Sequence, residues 1–342
     1  MIAAPIQAFA ETTELPSAEH SMGDDAAYDL PSELLDENGP DDDSFSDDAV
    51  LLEGAGQNGS YVYDLETEEE TFVPPDAFDF VPEETTFGGT ELDTPWIQPF
   101  YTGPYGRQRV STVGGISATT CLLVARYPDN SLGEATGWLL NGRTVVTAGH
   151  VLYSHGHGGR ANHVAVYVGN NGGSYKEYRL GTSFEIGGDF IDYQSLHDDW
   201  GILGLKDPVS GSYTYMGFKA ANSLSDMKNH HYYSYGYPFD LNKKDLGKTD
   251  SQLWSNLTQM YMYQAHGQTS HVTDADEKPV RNLLQATMNM DAESGQSGAC
   301  IHRIDAATNR YVAQGIISAE DSRGSYIVPI NNWLYNKLAS KF

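Results

Sequence analysis

The first 100 residues contain no lysine and no arginine, against 26 aspartates and glutamates. Their absence leaves this stretch without the basic footprint of a nucleic-acid partner, and so anionic a segment is repelled by phosphate and by anionic lipid. The chain also lacks any run of 18 or more apolar residues, so no segment is expected to span a membrane. Cysteine is scarce: Cys121 and Cys300 are the two in 342 residues, which leaves the redox compartment open. What remains is a partition of charge. Residues 101–342 carry 21 acids and 20 bases, so the net charge of -27 divides into -26 for the first 100 residues and -1 for the rest.

The acidic stretch combines Asp41-Asp42-Asp43 and Glu68-Glu69-Glu70 with Pro, Ser and Gly and shows no sustained period. Such a composition buries too little apolar area to offset chain entropy. Residues 1–99 are therefore expected to be a largely disordered leader and pro-segment, serving either as a solvated tail or as a cover for the domain that follows, 100–342. Its short apolar patches Tyr61–Leu65, Phe72–Val73 and Phe78–Val81 are candidates for docking. Residues 1–10 end in Ala8-Phe9-Ala10, a small-residue pattern like the end of a secretory signal, without a positive start. Export is favoured.

From about residue 110 short β-rich runs recur between turn residues: Cys121–Tyr127, Gly137–Leu140, Thr144–Thr147, His163–Val168, Trp200–Leu205, Tyr232–Tyr237, Leu257–Tyr263, Asn282–Met288, Tyr311–Ser318 and Ser325–Ile330. Asn141-Gly142 signals a tight hairpin between two of them. Trp333, Leu334, Leu338 and Phe342 have helical spacing, which predicts one terminal helix. Many short strands and one late helix indicate an all-β fold, a sandwich or a pair of packed barrels.

Three motifs carry chemistry. Val145-Val146-Thr147-Ala148-Gly149-His150 is an apolar strand ending in small residues that let the backbone turn and leave the imidazole facing a cleft. His197-Asp198-Asp199-Trp200-Gly201 sets carboxylates just before a buried strand. Ser294-Gly295-Gln296-Ser297-Gly298 is a glycine-flanked serine, and the N–H groups of Gly295 and Ser297 can converge on one point as an oxyanion hole. The order His150, Asp199, Ser297 is that of chymotrypsin and not of subtilisin or the α/β-hydrolases. Asp198 competes with Asp199 for the middle role.

With these residues, and with Thr136-Gly137-Trp138, Gly236-Tyr237-Pro238, Met290-Asp291 and Arg107-Gln108-Arg109-Val110, residues 100–342 resemble the chymotrypsin-fold (trypsin-like) serine proteases, in the bacterial glutamyl-endopeptidase branch. The resemblance implies a double β-barrel with the three motifs at its junction. It also implies peptide-bond hydrolysis through an acyl-enzyme, with Ser297 as nucleophile, His150 as base and Asp199 as the group orienting it. Asp199 is preferred because the family sets this Asp directly before the Trp/Tyr-Gly strand. No cofactor or metal is implied. The expected partners are protein or peptide substrates and the chain's own pro-segment, with no nucleic acid and no membrane, and the enzyme is expected to be a secreted monomer made as a zymogen. The alternative from another class is a non-catalytic homologue acting in binding or adhesion.

Specificity is where the sequence leaves the pattern. The resemblance puts Ile317 where glutamyl endopeptidases carry a carboxylate-reading histidine. Asp291 lies six residues before Ser297, the spacing of the trypsin-like Asp that binds Arg or Lys. With Ser318 and Glu320 these residues make up the expected substrate pocket, and they favour basic over glutamyl substrates. A basic-specific enzyme finds no site within the first 100 residues and meets Arg107 and Arg109 first, whereas a Glu-specific one meets 13 glutamates. His155 and His157 in a Gly-rich loop lack an evident third metal ligand. A Cys121–Cys300 bridge is left open.

Overall fold

The computed structural model describes residues 59–74, 86–91, 106–221, 227, 230–274, 284–288, 290–321 and 324–342. The first described strands lie inside the acidic segment. They are β1 (Ser60–Asp64), β2 (Glu70–Val73) and the short β3 (Phe87–Gly88), followed by β4 (Gln108–Arg109). The apolar patches Tyr61–Leu65 and Phe72–Val73 pair with each other in the β1–β2 hairpin. The patch Phe78–Val81 falls outside the described residues.

The apolar runs that follow build the first barrel. β5 (Thr120–Arg126) is buried along almost its whole length, which its Cys-Leu-Leu-Val-Ala core demands. A hairpin joins β6 (Leu132–Asn141) to β7 (Thr144–Thr147), and the Asn141 side chain accepts the Arg143 N–H at 2.8 Å to close the turn. After the one-turn helix α1 (Gly149–Leu152) come the small ladder β8 (Tyr153–Ser154) and β9 (Gly159–Arg160), then β10 (His163–Val168) and β11 (Glu177–Gly187). The helix α2 (Gly188–Tyr193) leads to β12 (Gly201–Leu205). The order β10-β5-β6-β7-β12-β11 closes on itself through β10–β11. Leu123, Ala125, Trp138, Val145, Val164, Phe184 and Leu203 fill its interior. The 11-residue β11 escapes sequence reading because Gly181 interrupts its alternation, and the ladder to β12 shifts register there.

The second barrel begins after β13 (Gly217–Phe218) and consists of β14 (His231–Gly236), β15 (Tyr263–Asp274), β16 (Leu284–Met288), β17 (Cys300–Asp305), β18 (Arg310–Asp321) and β19 (Gly324–Pro329). The order β17-β14-β15-β16-β19-β18 closes through β17–β18. Tyr232, Ala265, Ile301, Ile317 and Ile327 lie in its core. The expected all-β double barrel is thus the observed fold.

Between β14 and β15 lie two helices that the sequence reading did not anticipate, α3 (Phe239–Leu246) and α4 (Asp250–Trp254). Both are too short to display a periodic stripe, although Thr249 and Gln252 form a reciprocal capping box at α4. The strand expected at Leu257–Tyr263 is corrected. Leu257–Gln259 is a single 3-10 turn, and the strand starts only at Tyr263. Tertiary contacts override the β-forming residues here: Leu257, Met260 and Met262 pack onto Leu122, Val124 and Tyr237 at the seam between the barrels. The backbone is met by loops instead of a ladder, with Gly172 donating to Met260 O at 2.9 Å and Tyr261 N to Asn242 Oδ1 at 2.6 Å. The expected terminal helix is α5 (Asn332–Ala339), capped by Asn331, whose Oδ1 accepts the Leu334 N–H at 2.9 Å.

Candidate active site

Each of the three motifs ends at the seam. His150 sits in α1, directly after the buried strand β7, whose apolar residues leave no exposed alternative for the turn that follows. Asp199 is fully buried just before β12. Its Oδ2 meets His150 Nδ1 at 2.7 Å, and its Oδ1 accepts the His150 backbone N–H at 2.7 Å. One carboxylate therefore fixes both the ring and the chain that carries it. The neighbouring Asp198 faces the other way, accepting Trp200 Nε1 at 2.6 Å and the Asp189 N–H at 2.9 Å. The two side chains diverge where the 3-10 turn Leu196–Asp198 ends, so one of the pair meets the histidine and the other anchors the strand entrance.

Ser297 lies on the loop leading into β17, and its hydroxyl donates to Ser318 O at 3.4 Å. Two glycines make that loop possible. Gly295 has φ +88° and Gly298 φ +84°, and a Cβ would fall 2.2 Å from Tyr237 O at the first and 2.1 Å from Thr147 Oγ1 at the second. L-residues avoid such backbone values. Among the described residues neither the Gly295 nor the Ser297 N–H donates to a protein acceptor. Two unengaged donors on a tight loop can serve an oxyanion. The buried Gln296 between them accepts the Glu293 N–H through Oε1 at 3.1 Å and holds the loop from inside.

Thr136 of β6 ties the two barrels together at this point. Its hydroxyl donates to Gly295 O at 2.7 Å and accepts the Tyr237 N–H at 3.1 Å, while its backbone N–H donates to Ser297 O at 2.9 Å. Thr136-Gly137-Trp138 was visible in the sequence only as a matching stretch, since nothing local states that Thr136 reaches the serine loop.

Each of the expected pocket residues has partners within the protein. Ile317 is buried in the second barrel core, and its carbonyl accepts the Gly298 N–H at 2.7 Å. Ser318 is also buried, and its hydroxyl donates to Asp199 Oδ2 at 2.5 Å, so its side chain belongs to the histidine–aspartate pair. Asp291 is exposed and paired with Arg107 Nε at 3.1 Å. The buried Arg107 guanidinium also grips Asp240 in a bidentate pair at 2.6 and 2.8 Å. Glu320 hydrogen-bonds Glu293, and burial together with that neighbouring acid pushes its carboxyl up to about 8. Arg107 and Glu293, which contact Asp291 and Glu320, were not among the expected pocket residues. A conspicuous Arg-x-Arg stretch was the available signal for the first, and nothing marked the second.

The two cysteines do not form a bridge. Cys121 Sγ lies 3.5 Å from Thr119 O, Cys300 Sγ is 3.6 Å from Met216 Sδ, and burial pushes both thiols up. His155 and His157 turn to different partners, Ile191 O at 2.9 Å and Asp129 Oδ2 at 2.8 Å. Among the described residues no group of three or more His, Cys, Asp or Glu could hold a metal ion, and no helix is long and apolar enough to cross a membrane.

With this geometry in view, the Trypsin family profile matches residues 125–334, more than half of the chain. The chain belongs to the trypsin family. An extracellular metalloprotease of Bacillus subtilis is 28% identical over 224 residues, covering 63% of this chain and 62% of its own length, so this trypsin-family chain spans less than two thirds of that relative. A glutamyl endopeptidase of Bacillus licheniformis is 28% identical over 127 residues, 33% of this chain and 38% of that protein. A solved structure of a Glu endopeptidase in complex with MPD superimposes with a TM-score of 0.54 at 16% identity, covering 70% of this chain and 99% of that one. At that identity the likeness concerns the fold.

Proposed function

We propose that this trypsin-family chain is a secreted serine endopeptidase, made as a precursor and acting through His150, Asp199 and Ser297. The observation that carries the reading is the buried Asp199 carboxylate, bonded at 2.7 Å to both the ring and the backbone of His150. In this mechanism Ser297 Oγ attacks the scissile carbonyl as His150 removes its proton, forming the tetrahedral intermediate. The Gly295 and Ser297 N–H groups receive the oxyanion, and each such donor is worth about 10²–10³ in rate. His150 then protonates the leaving amine, and water repeats the sequence on the acyl-enzyme. Asp199 keeps the imidazole in the tautomer that presents its outer nitrogen to Ser297 and stabilises the imidazolium that forms.

Preference for Arg or Lys is the specificity we favour. Arg107 divides its single charge between Asp240 and Asp291, so the carboxyls free of a direct cation contact among the described residues and offered to a substrate side chain are Glu293 and Glu320, on the serine loop and on β18 respectively. Secretion is supported by Ala8-Phe9-Ala10 and by the extracellular relative. The enzyme is taken to act as a monomer on protein or peptide substrates.

The test is fluorophosphonate labelling of the processed protein with mass mapping of the adduct, alongside a peptide-library cleavage profile. Labelling at Ser297 and its loss in His150→Ala are expected. A protein that neither labels nor cleaves would instead be a non-catalytic homologue. Cleavage confined to bonds after Glu would reject the basic preference.

A further inference from the structure

We propose that the stretches 59–74 and 86–91 of the acidic segment are a permanent part of the folded enzyme, retained when other parts of that segment are removed. If processing cuts the chain at Arg107 or Arg109, the first basic residues beyond Glu91, the mature protein is then two pieces held together without a covalent link. The inference rests on the reading above that the N-terminal segment is processed.

Four observations carry it. The first is the ladder: β1 runs antiparallel to β11 over five residue pairs, from Ser60 opposite Gly187 to Asp64 opposite Ser183. Gly188 N–H to Gly59 O at 3.0 Å and Leu65 N–H to Thr182 O at 2.9 Å extend it at both ends. The end of β11 that β10 leaves unpaired thereby gains main-chain bonds that solvent would otherwise supply.

The second is a buried polar knot. Ser60, Glu185 and Lys337 are all nearly inaccessible. Ser60 Oγ donates to Glu185 Oε1 at 2.6 Å and accepts from Lys337 Nζ at 3.0 Å, Lys337 Nζ lies 2.5 Å from Glu185 Oε1, and Lys341 Nζ reaches Glu185 Oε2 at 2.7 Å. The acidic segment, the first barrel and α5 thus share one network. Withdrawing Ser60 would strip a partner from two buried charges, which is unfavourable in a way that removing a surface cover is not.

The third is apolar. The Phe87 ring packs on Phe218 at 5.3 Å, Phe342 at 5.2 Å and Tyr335 at 6.2 Å between centroids, beside Thr86 Oγ1 donating to Asp305 Oδ2 at 2.8 Å. The fourth is charge. Having no base of its own, the segment pairs its acids with the body's bases, as in Glu66–Lys206 at 2.7 Å, Glu70–Arg160 and Glu91–Arg310 at 3.8 Å. Among the described residues none of these contacts involves His150, Asp199 or Ser297, so the docked pieces brace the body and do not cover its catalytic groups.

The experiment has an arm with activity and an arm without it. Wild-type protein carried to constant mass is passed through native gel filtration, and the active peak is weighed after denaturation. Residues 59–74 and 86–91 are expected in equal amount with the body, whether as a separate peptide or still in the chain. An active peak lacking them, with a melting temperature no lower than that of the uncut Ser297→Ala chain, would overturn the proposal. In the full-length Ser297→Ala background, Gly59→Ala, Phe87→Ala and the milder Ser60→Ala are melted. Gly59 has φ +73° and a Cβ there would sit 2.2 Å from Val73 O. Each variant is expected to lower the melting temperature by about 3 °C or more. Unchanged melts in all three would equally overturn the proposal, and because this arm needs no catalysis, failure of the protease reading stays distinguishable.

Discussion

Ser318 bridges the two sides of the site: its hydroxyl donates to Asp199 Oδ2 at 2.5 Å while its carbonyl accepts from Ser297 Oγ at 3.4 Å. One β18 residue thus contacts both the acid bonded to His150 and the hydroxyl of Ser297. A hydrogen bond to a charged group contributes about 1.5–3 kcal/mol. Ser318→Ala is expected to lower kcat by roughly ten- to a hundredfold with KM little changed. Steady-state kinetics on a peptide substrate would measure it, and an unaltered kcat would refute the orienting role.

The adjacent acids should separate cleanly. Asp199→Asn keeps the shape of the site but exchanges an acceptor for a donor, and a loss of about 10⁴ in kcat is expected. Asp198→Asn instead weakens the bonds to Trp200 Nε1 and the Asp189 N–H. Its cost should appear as about 1–3 kcal/mol of stability in denaturant unfolding, with kcat reduced far less.

Thr136→Val removes a hydroxyl that both holds the Gly295 carbonyl and receives the Tyr237 N–H. The shape is preserved, so the barrel should fold, but two buried groups lose their partner. A fall in kcat and slower fluorophosphonate labelling are expected, together with about 1–3 kcal/mol of lost stability. Rescue by Thr136→Ser would separate the hydroxyl from the methyl group.

Glu134 of β6 makes a long contact with Ser294 Oγ at 3.5 Å, and burial pushes its carboxyl up to about 8. The folded protein therefore keeps a proton that the unfolded chain releases near the ordinary glutamate range. Its contribution to stability is complete below about pH 4.5 and is lost as pH rises to about 8. Relative to wild type, Glu134→Gln should flatten the fall in melting temperature between those pH values. Parallel melting curves would reject the assignment.

The Glu293–Glu320 pair predicts a pH-dependent preference. Below about pH 8 the Glu320 carboxyl keeps its proton, and above it the pair gains negative charge. Relative kcat/KM for Arg or Lys over uncharged residues should rise as pH passes through 8, and Glu320→Gln should remove that rise. A profile identical in the two proteins would rule these carboxyls out of substrate recognition.

What the sequence determined is local. Val145 and Val146 must form a buried strand, Gly295 and Gly298 must bracket a tight loop, and His150, Asp199 and Ser297 must follow in that order on a β-rich chain. Hydrophobic period, glycine spacing and motif order are all written within a few residues. The two short helices α3 and α4 and the 3-10 turn at Leu257–Gln259 already strain that legibility, because packing at the seam outweighs propensity there.

Only the tertiary structure decided which partner each side chain meets. It turned Asp199 and not Asp198 toward His150, sent Ile317 into the second core, joined Ser318 to Asp199, kept Cys121 and Cys300 apart, and placed Arg107 on Asp240 and Asp291. It also drew Ser60, from the most acidic part of the chain, into a buried knot with Glu185 and Lys337. These pairings join residues tens to hundreds of positions apart. They depend on strand register and barrel closure, which composition and spacing leave open.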